Sequence, residues 1–130
     1  MSANQPDPNL LKKYPNAITL QQLSEKDRFL GALLGLHAGE SVGAPHEFKK
    51  AAEIIVPKEI VGGGIWKPGE PTDDVELTLA LLRSLVARRR FDLVDAAQSY
   101  LKWFGGKPKD IGNLTRAALE NLRGGEGPES

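Results

Sequence analysis

The chain contains no cysteine. Disulfides, thiolate metal sites and a cysteine nucleophile are therefore excluded, and a reducing compartment suits the sequence. It also lacks net charge: 17 Lys and Arg balance 17 Asp and Glu. Such a chain has no long-range field to hold nucleic acid or an anionic membrane. No apolar run approaches a membrane span, and the first residues, MSANQPDPNLLKKYPNAITL, lack the compact apolar core of a signal peptide. These absences point to a cytoplasmic protein without nucleic-acid or membrane partners. With 40% hydrophobic and 26% charged residues, the remainder suits one soluble domain with a modest core. Residues 1–23 read as a loose, Pro-containing leader and residues 24–130 as the amino-terminal part of a single domain.

Periodicity predicts four helices and no strand pair, so the fold class is all-α. The first helix follows Ser24, with Asp27 completing a capping-box-like start. Phe29, Leu30, Leu33, Leu34 and Leu36 form its apolar face. Gly31, Gly35, Gly39 and Gly43 share one i, i+4 row. Each costs roughly 1 kcal/mol against alanine, so either another backbone packs on the strip or the helix ends near Gly39 in a tight turn. Pro45 ends it after Gly43 in either case.

The second helix starts at Thr72. Its stripe, Val75, Leu79, Leu82 and Val86, predicts a well-buried element, and Arg88, Arg89 and Arg90 suit its carboxyl end. The third runs from an Asp92 cap to Phe104, stopped by Gly105 and Gly106, with Tyr100, Trp103 and Phe104 as core aromatics. The fourth begins within 110–113 and ends near Arg123; the tail GGEGPES reads as an exposed end or a severed loop. Glu47 to Pro71 has little periodicity, and a connection this long inside a domain is usually functional or disordered. Gly62, Gly63 and Gly64 within it allow a sharp turn or a close backbone approach.

Thr72, Asp73 and Asp74 carry the sharpest chemistry. As local structure they are an N-cap and acids in the first helical turn. As chemistry they are oxygen donors of the kind that bind Mg²⁺ or Mn²⁺, too few to complete a site without carboxylates from elsewhere. Glu40 and Glu47 are either solvated surface or a general base held near a cation and a water. Asp110 is an N-cap or a substrate contact, with Gly112 as a turn residue. His37 and His46 pair with no carboxylate at ligand spacing and read as structural.

In this order the motifs resemble the ADP-ribosylglycohydrolase family. The resemblance is closest to its arginine-specific bacterial branch, which reactivates dinitrogenase reductase. The matching stretches are FLGALLGLHAGESVGAPHEF, IVGGGIWKPGEPTDDVELTLALLRSL and LKWFGGKPKDIGNLTRAALENL, from Phe29 to Leu122. The resemblance implies an orthogonal α-helical bundle with two divalent cations, Mg²⁺ or Mn²⁺, in a cleft. Thr72, Asp73 and Asp74 match metal ligands, and Glu47 matches the glutamate that orients or activates the attacking water. Asp110 matches an acid facing the substrate guanidinium and ribose, while Gly112 and Asn113 match the pocket lining. The implied reaction is hydrolysis at the anomeric carbon of ADP-ribose, on an ADP-ribosylated protein or a small ADP-ribose conjugate. A catalytically inactive ADP-ribose-binding or structural helical module is the alternative. The chain departs from the family at Glu40, where aspartate is usual, and at Val75, where threonine is usual. Family members are much longer, and a late Asp-x-Asp motif completes their metal centre. The expectation is therefore that these residues form the amino-terminal half of one domain whose remainder is missing or supplied by a second polypeptide segment, or that the chain is a degenerate short relative, and that the chain alone is inactive.

Overall fold

A computed structural model describes residues 8–13, 23–55, 58–125 and 127. It contains five α-helices among those residues: α1 (Pro8–Lys13), α2 (Glu25–Gly43), α3 (Asp73–Arg88), α4 (Leu93–Gly105) and α5 (Asn113–Arg123). Short 3-10 turns follow α2 at Ala44–His46 and Ala51–Glu53. The described residues include no strand, only an isolated bridge between Gly63 and Trp66, and none of their helices is long and apolar enough to cross a membrane. Contacts divide the chain into two units, Met1–Gly35 and Leu36–Ser130.

The first unit holds α1 and the beginning of α2. Within the expected leader, Pro8–Lys13 is helical, with Pro8 opening it and Lys12 and Lys13 in its last turn, an order suited to both helix ends. The leader's other residues before Leu23 lie outside the described ones. The α2 start is the expected one. Ser24 Oγ accepts from the Asp27 amide at 3.1 Å and donates to Asp27 Oδ2 at 2.6 Å. The helix does not stop at Gly39; it runs to Gly43, where the 3-10 turn carrying Pro45 replaces it.

Among the described residues, the expected backbone packing on the glycine strip is not found. A Cβ at Gly31, Gly35, Gly39 or Gly43 would meet no described atom within 4 Å. Gly35→Ala should therefore stabilise this chain by about 1 kcal/mol, through helix propensity alone. A rise in the urea unfolding midpoint with unchanged m-value checks this.

In the second unit α3 packs on α4, and α4 on α5. The buried apolar residues are Val75, Ala80, Ala96, Ala97, Ile111 and Leu119. Three of these are alanines, which lets α3 and α4 approach closely. No large side chain is fully buried among the described residues. The expectation of a well-buried second helix is corrected accordingly: Val75 is inside, Leu79 and Leu82 are half-buried, and Val86 is 78% exposed. Tyr100, Trp103 and Phe104 are likewise half-buried rather than core. They cover the flank of a core built on small residues. Trp103 Nε1 donates to Glu76 Oε2 at 2.7 Å, and the Arg123 guanidinium lies 5.1 Å from the Phe104 ring centre.

The α3–α4 junction is electrostatic. Asp92 caps α4 by accepting from the Asp95 amide at 3.1 Å. Asp95 takes a 2.6 Å bond from buried Ser84 Oγ and a 2.7 Å ion pair from Arg88. Arg90 pairs with Asp92 at 3.3 Å, and Arg89 ends α3 in a left-handed conformation. Thus two of the three arginines bind the next helix start rather than only complementing their own helix end. The Ser84 hydroxyl first, then Arg88, hold the Asp95 carboxyl below its ordinary value. A depressed folded-state value stabilises fully above the unfolded value and is lost as pH falls through the folded one. Stability should therefore decline on acidification through the lower carboxylate range. Asp95→Ala should weaken that part of the decline, read as urea midpoints from about pH 5 to about pH 2.

Candidate active site

The second unit contains a cleft of about 900 Å³ between the end of α2, the start of α3 and the segment leading into α5. Its wall includes Glu40, Glu47, Thr72, Asp73, Asp74, Asp110, Gly112 and Asn113. Every residue singled out from the sequence as a site candidate therefore reaches one concavity, from three separate segments.

Thr72 sits at the N-cap position of α3 with extended backbone (φ −88°, ψ 177°), yet its side chain makes no capping bond. Its backbone carbonyl accepts from the Glu76 amide at 3.0 Å. The hydroxyl instead donates to Glu40 Oε2 at 2.9 Å, and Thr72 is 4% exposed. The simple cap reading is thereby corrected: this hydroxyl ties α3 to α2. The Glu40 side chain, one methylene longer than an aspartate, reaches that hydroxyl.

Asp73, at the start of α3, accepts from the Gly112 amide at 3.1 Å through Oδ2. Gly112 is the N-cap residue of α5 and has no side chain to cap it, so Asp73 supplies a carboxylate to the positive end of another helix. Asp110 is not the α5 cap, contrary to one sequence reading. Its Oδ1 accepts from the neighbouring Ile111 amide at 2.9 Å, and Ile111 is buried. That bond fixes the carboxyl at the cleft wall. Val75 is 3% exposed; a threonine there would bury a hydroxyl needing a partner.

Sequence reasoning passed over Trp66 and left His46 as structural; both line the cleft. Both ring nitrogens of His46 are buried without a hydrogen-bond partner among the described residues. Trp66 is placed by the glycine run. Gly63 and Trp66 exchange two backbone hydrogen bonds, each 3.0 Å. A Cβ on Gly62 would lie 2.5 Å from the Trp66 carbonyl oxygen, and one on Gly63 would lie 3.0 Å from Pro45 Cβ. Gly64 turns at φ +59°. The close approach expected of these glycines is thus to Trp66 and to the turn that precedes Glu47. Lys109 Nζ lies 5.0 Å from the Trp66 ring centre and pairs with Glu70 at 2.6 Å. The Lys109 ammonium, and then the Lys67 amide at 2.8 Å, hold the Glu70 carboxyl below its ordinary value.

The donor set is oxygen-rich. Asp74 and Asp73 Oδ1 accept no hydrogen bond among the described residues, so these atoms and the Thr72 oxygen could face a hard divalent cation. Among the described residues, no three of His, Asp and Glu converge closely enough to hold an ion unaided.

A helical scaffold that gathers carboxylates at the starts and ends of its helices defines a cleft suited to hydrolytic or cation-binding chemistry. The ADP-ribosylglycohydrolase family profile matches residues 21–130, and the chain belongs to that family. It is 41% identical over 103 residues to the ADP-ribosyl-[dinitrogen reductase] glycohydrolase of Rhodospirillum rubrum, covering 74% of this chain and 35% of that protein. It is 39% identical over 121 residues to the ADP-ribosylarginine hydrolase Tri1 of Pseudomonas putida (strain GB-1), covering 85% of this chain and 32% of that one. The Serratia proteamaculans (strain 568) hydrolase of the same name is 36% identical over 103 residues, covering 72% and 28%. The chain thus spans about a third of these relatives' length.

Proposed function

We propose that this chain supplies the acidic half of the active site of a hydrolase that removes ADP-ribose from arginine side chains of proteins. The observation that carries the reading is the convergence of Glu40, Thr72, Asp73 and Asp110 on one cleft, cross-tied by the Thr72–Glu40 and Gly112–Asp73 bonds. Two relatives are named for action on ADP-ribosylarginine. A guanidinium is the cation that such a carboxylate-lined cleft would accept.

Thr72, Asp73 and Asp74 would contribute part of the donor set for two divalent cations, Mg²⁺ or Mn²⁺, with further oxygen ligands from a second polypeptide segment. Bound there, the ions would lower the pKa of a water and fix the sugar. Glu47, exposed on the cleft rim, takes a proton from the attacking water. The water oxygen bonds to the anomeric carbon as the carbon–nitrogen bond breaks through an oxocarbenium-like state. Asp110 holds the leaving guanidine and guides a proton to its nitrogen. Free arginine side chain and ADP-ribose are the products.

The decisive experiment combines this chain with a polypeptide carrying the remaining family segment and follows ADP-ribose release from ADP-ribosylarginine, with Mn²⁺ or with chelator. Release that requires both chains and the metal supports the reading. Tight binding of ADP-ribose without release would establish an inactive binding module in its place.

A further inference from the structure

Beside the acidic cleft, a second cavity of about 620 Å³ lies between α3, α4 and the loop after α4. Its wall carries Arg83, Lys102, Lys107 and Lys109, with Trp103 and Glu76 beneath. Lys109 is neutralised by Glu70, and Glu76 is engaged by the Trp103 indole. Arg83, Lys102 and Lys107 are exposed and have no acidic partner among the described residues. In a chain of zero formal charge, this is a local excess of cations.

Helix-end complementarity accounts for Lys102, in the last turn of α4. It does not account for Arg83, inside α3, or for Lys107. Lys107 adopts φ +57°, a left-handed conformation that favours glycine. Gly105 and Gly106 stand immediately before it, yet Gly106 has ordinary φ of −72°. The strain is therefore carried by the residue bearing the charge.

The two cavities adjoin. A small recess of about 130 Å³ is walled by Asp73 and Asp110, which also line the acidic cleft, and by Pro71, Glu76 and Lys109, which also line the basic one. The lining thus changes from mainly acidic to mainly basic on either side of the Glu70–Lys109 bridge.

We infer that the basic cavity is a docking surface for acidic residues flanking the modified arginine of a protein substrate. This rests on the arginine-hydrolase reading and adds to it a sequence preference in the substrate. The cations stand on long side chains from two helices and a loop. That spacing suits carboxylates dispersed along a polypeptide better than one compact phosphate, which favours converging backbone amides.

The test uses the 130-residue chain and two labelled peptides, each with a central arginine, one flanked by glutamates and one by glutamines. Fluorescence anisotropy should show tighter binding of the glutamate peptide, with the difference shrinking at high salt. Lys102→Gln and Lys107→Gly should each weaken that binding by about two- to fivefold and leave the glutamine peptide unaffected. Lys107→Gly relieves the left-handed residue, so its loss of binding cannot be ascribed to unfolding. Equal affinity for the two peptides, or undiminished binding by Lys107→Gly, overturns the proposal, as does full displacement of the glutamate peptide by micromolar pyrophosphate. Peptide discrimination without any ADP-ribose release in the assembled enzyme would sink the hydrolase reading and leave the docking surface standing.

Discussion

Asp73→Asn should lower ADP-ribose release by the assembled hydrolase by more than about a hundredfold while leaving the fold intact. Loss of groups that merely support a metal ligand already costs ten- to a hundredfold, and Asp73 is proposed as a ligand itself. The fold is expected to survive because, among the described residues, the one bond the Asp73 side chain makes is to the Gly112 amide, at 3.1 Å. An asparagine carbonyl oxygen can still accept it. What the substitution removes is a negative charge and a cation donor. Turnover at saturating Mn²⁺, measured beside the circular dichroism melt, separates the two roles. Retained turnover would reduce Asp73 to a brace between α3 and α5. A collapsed melt would mean that its charge is needed for the α5 start.

Gly62→Ala should have the largest effect on stability, a loss of about 1–3 kcal/mol, with disruption of the cleft wall. The added methyl would meet the Trp66 carbonyl oxygen at 2.5 Å and Pro68 at 2.9 Å. The carbonyl is backbone and Pro68 is a rigid ring, so no flexible side chain can yield. The comparison substitution is Gly64→Asn. Gly64 has a left-handed backbone but open space around it, and asparagine tolerates that conformation. Urea titrations should therefore rank wild type and Gly64→Asn close together, with Gly62→Ala well below both. Equal stability of the two variants would show that the glycine run acts through chain flexibility, not through contact with Trp66.

The features legible in the sequence were those that local chemistry decides. Ser24 and Asp92 cap their helices through residues three positions away, and Pro45 and Gly124 close theirs nearby. Family motifs then drew Thr72, Asp73, Asp74, Glu47 and Asp110 together, and all of them line one cleft. What periodicity could not supply was the destination of bonds between distant positions. Thr72 occupies a cap position, but its hydroxyl goes to Glu40, 32 residues earlier. The α5 start is served by Asp73, 39 residues before Gly112. Trp66 was missed for the same reason: the partner of the glycine run becomes visible only when the turn is folded. A stripe of large apolar residues also overstated the burial of α3: its buried residues are Val75, Ala80 and Ser84, and Ser84 bonds Asp95 of α4, while Val86 stays outside.

The chain has two tryptophans, and their settings differ in a way useful at the bench. Trp103 is clamped by its indole hydrogen bond to Glu76, while Trp66 borders the cleft under an ammonium group. Emission excited in the near ultraviolet therefore divides into two channels. Small molecules entering the cleft should quench or shift the Trp66 component and leave the Trp103 component to track unfolding. Trp103→Phe would isolate the first channel, so titrations could be followed optically without any attached dye.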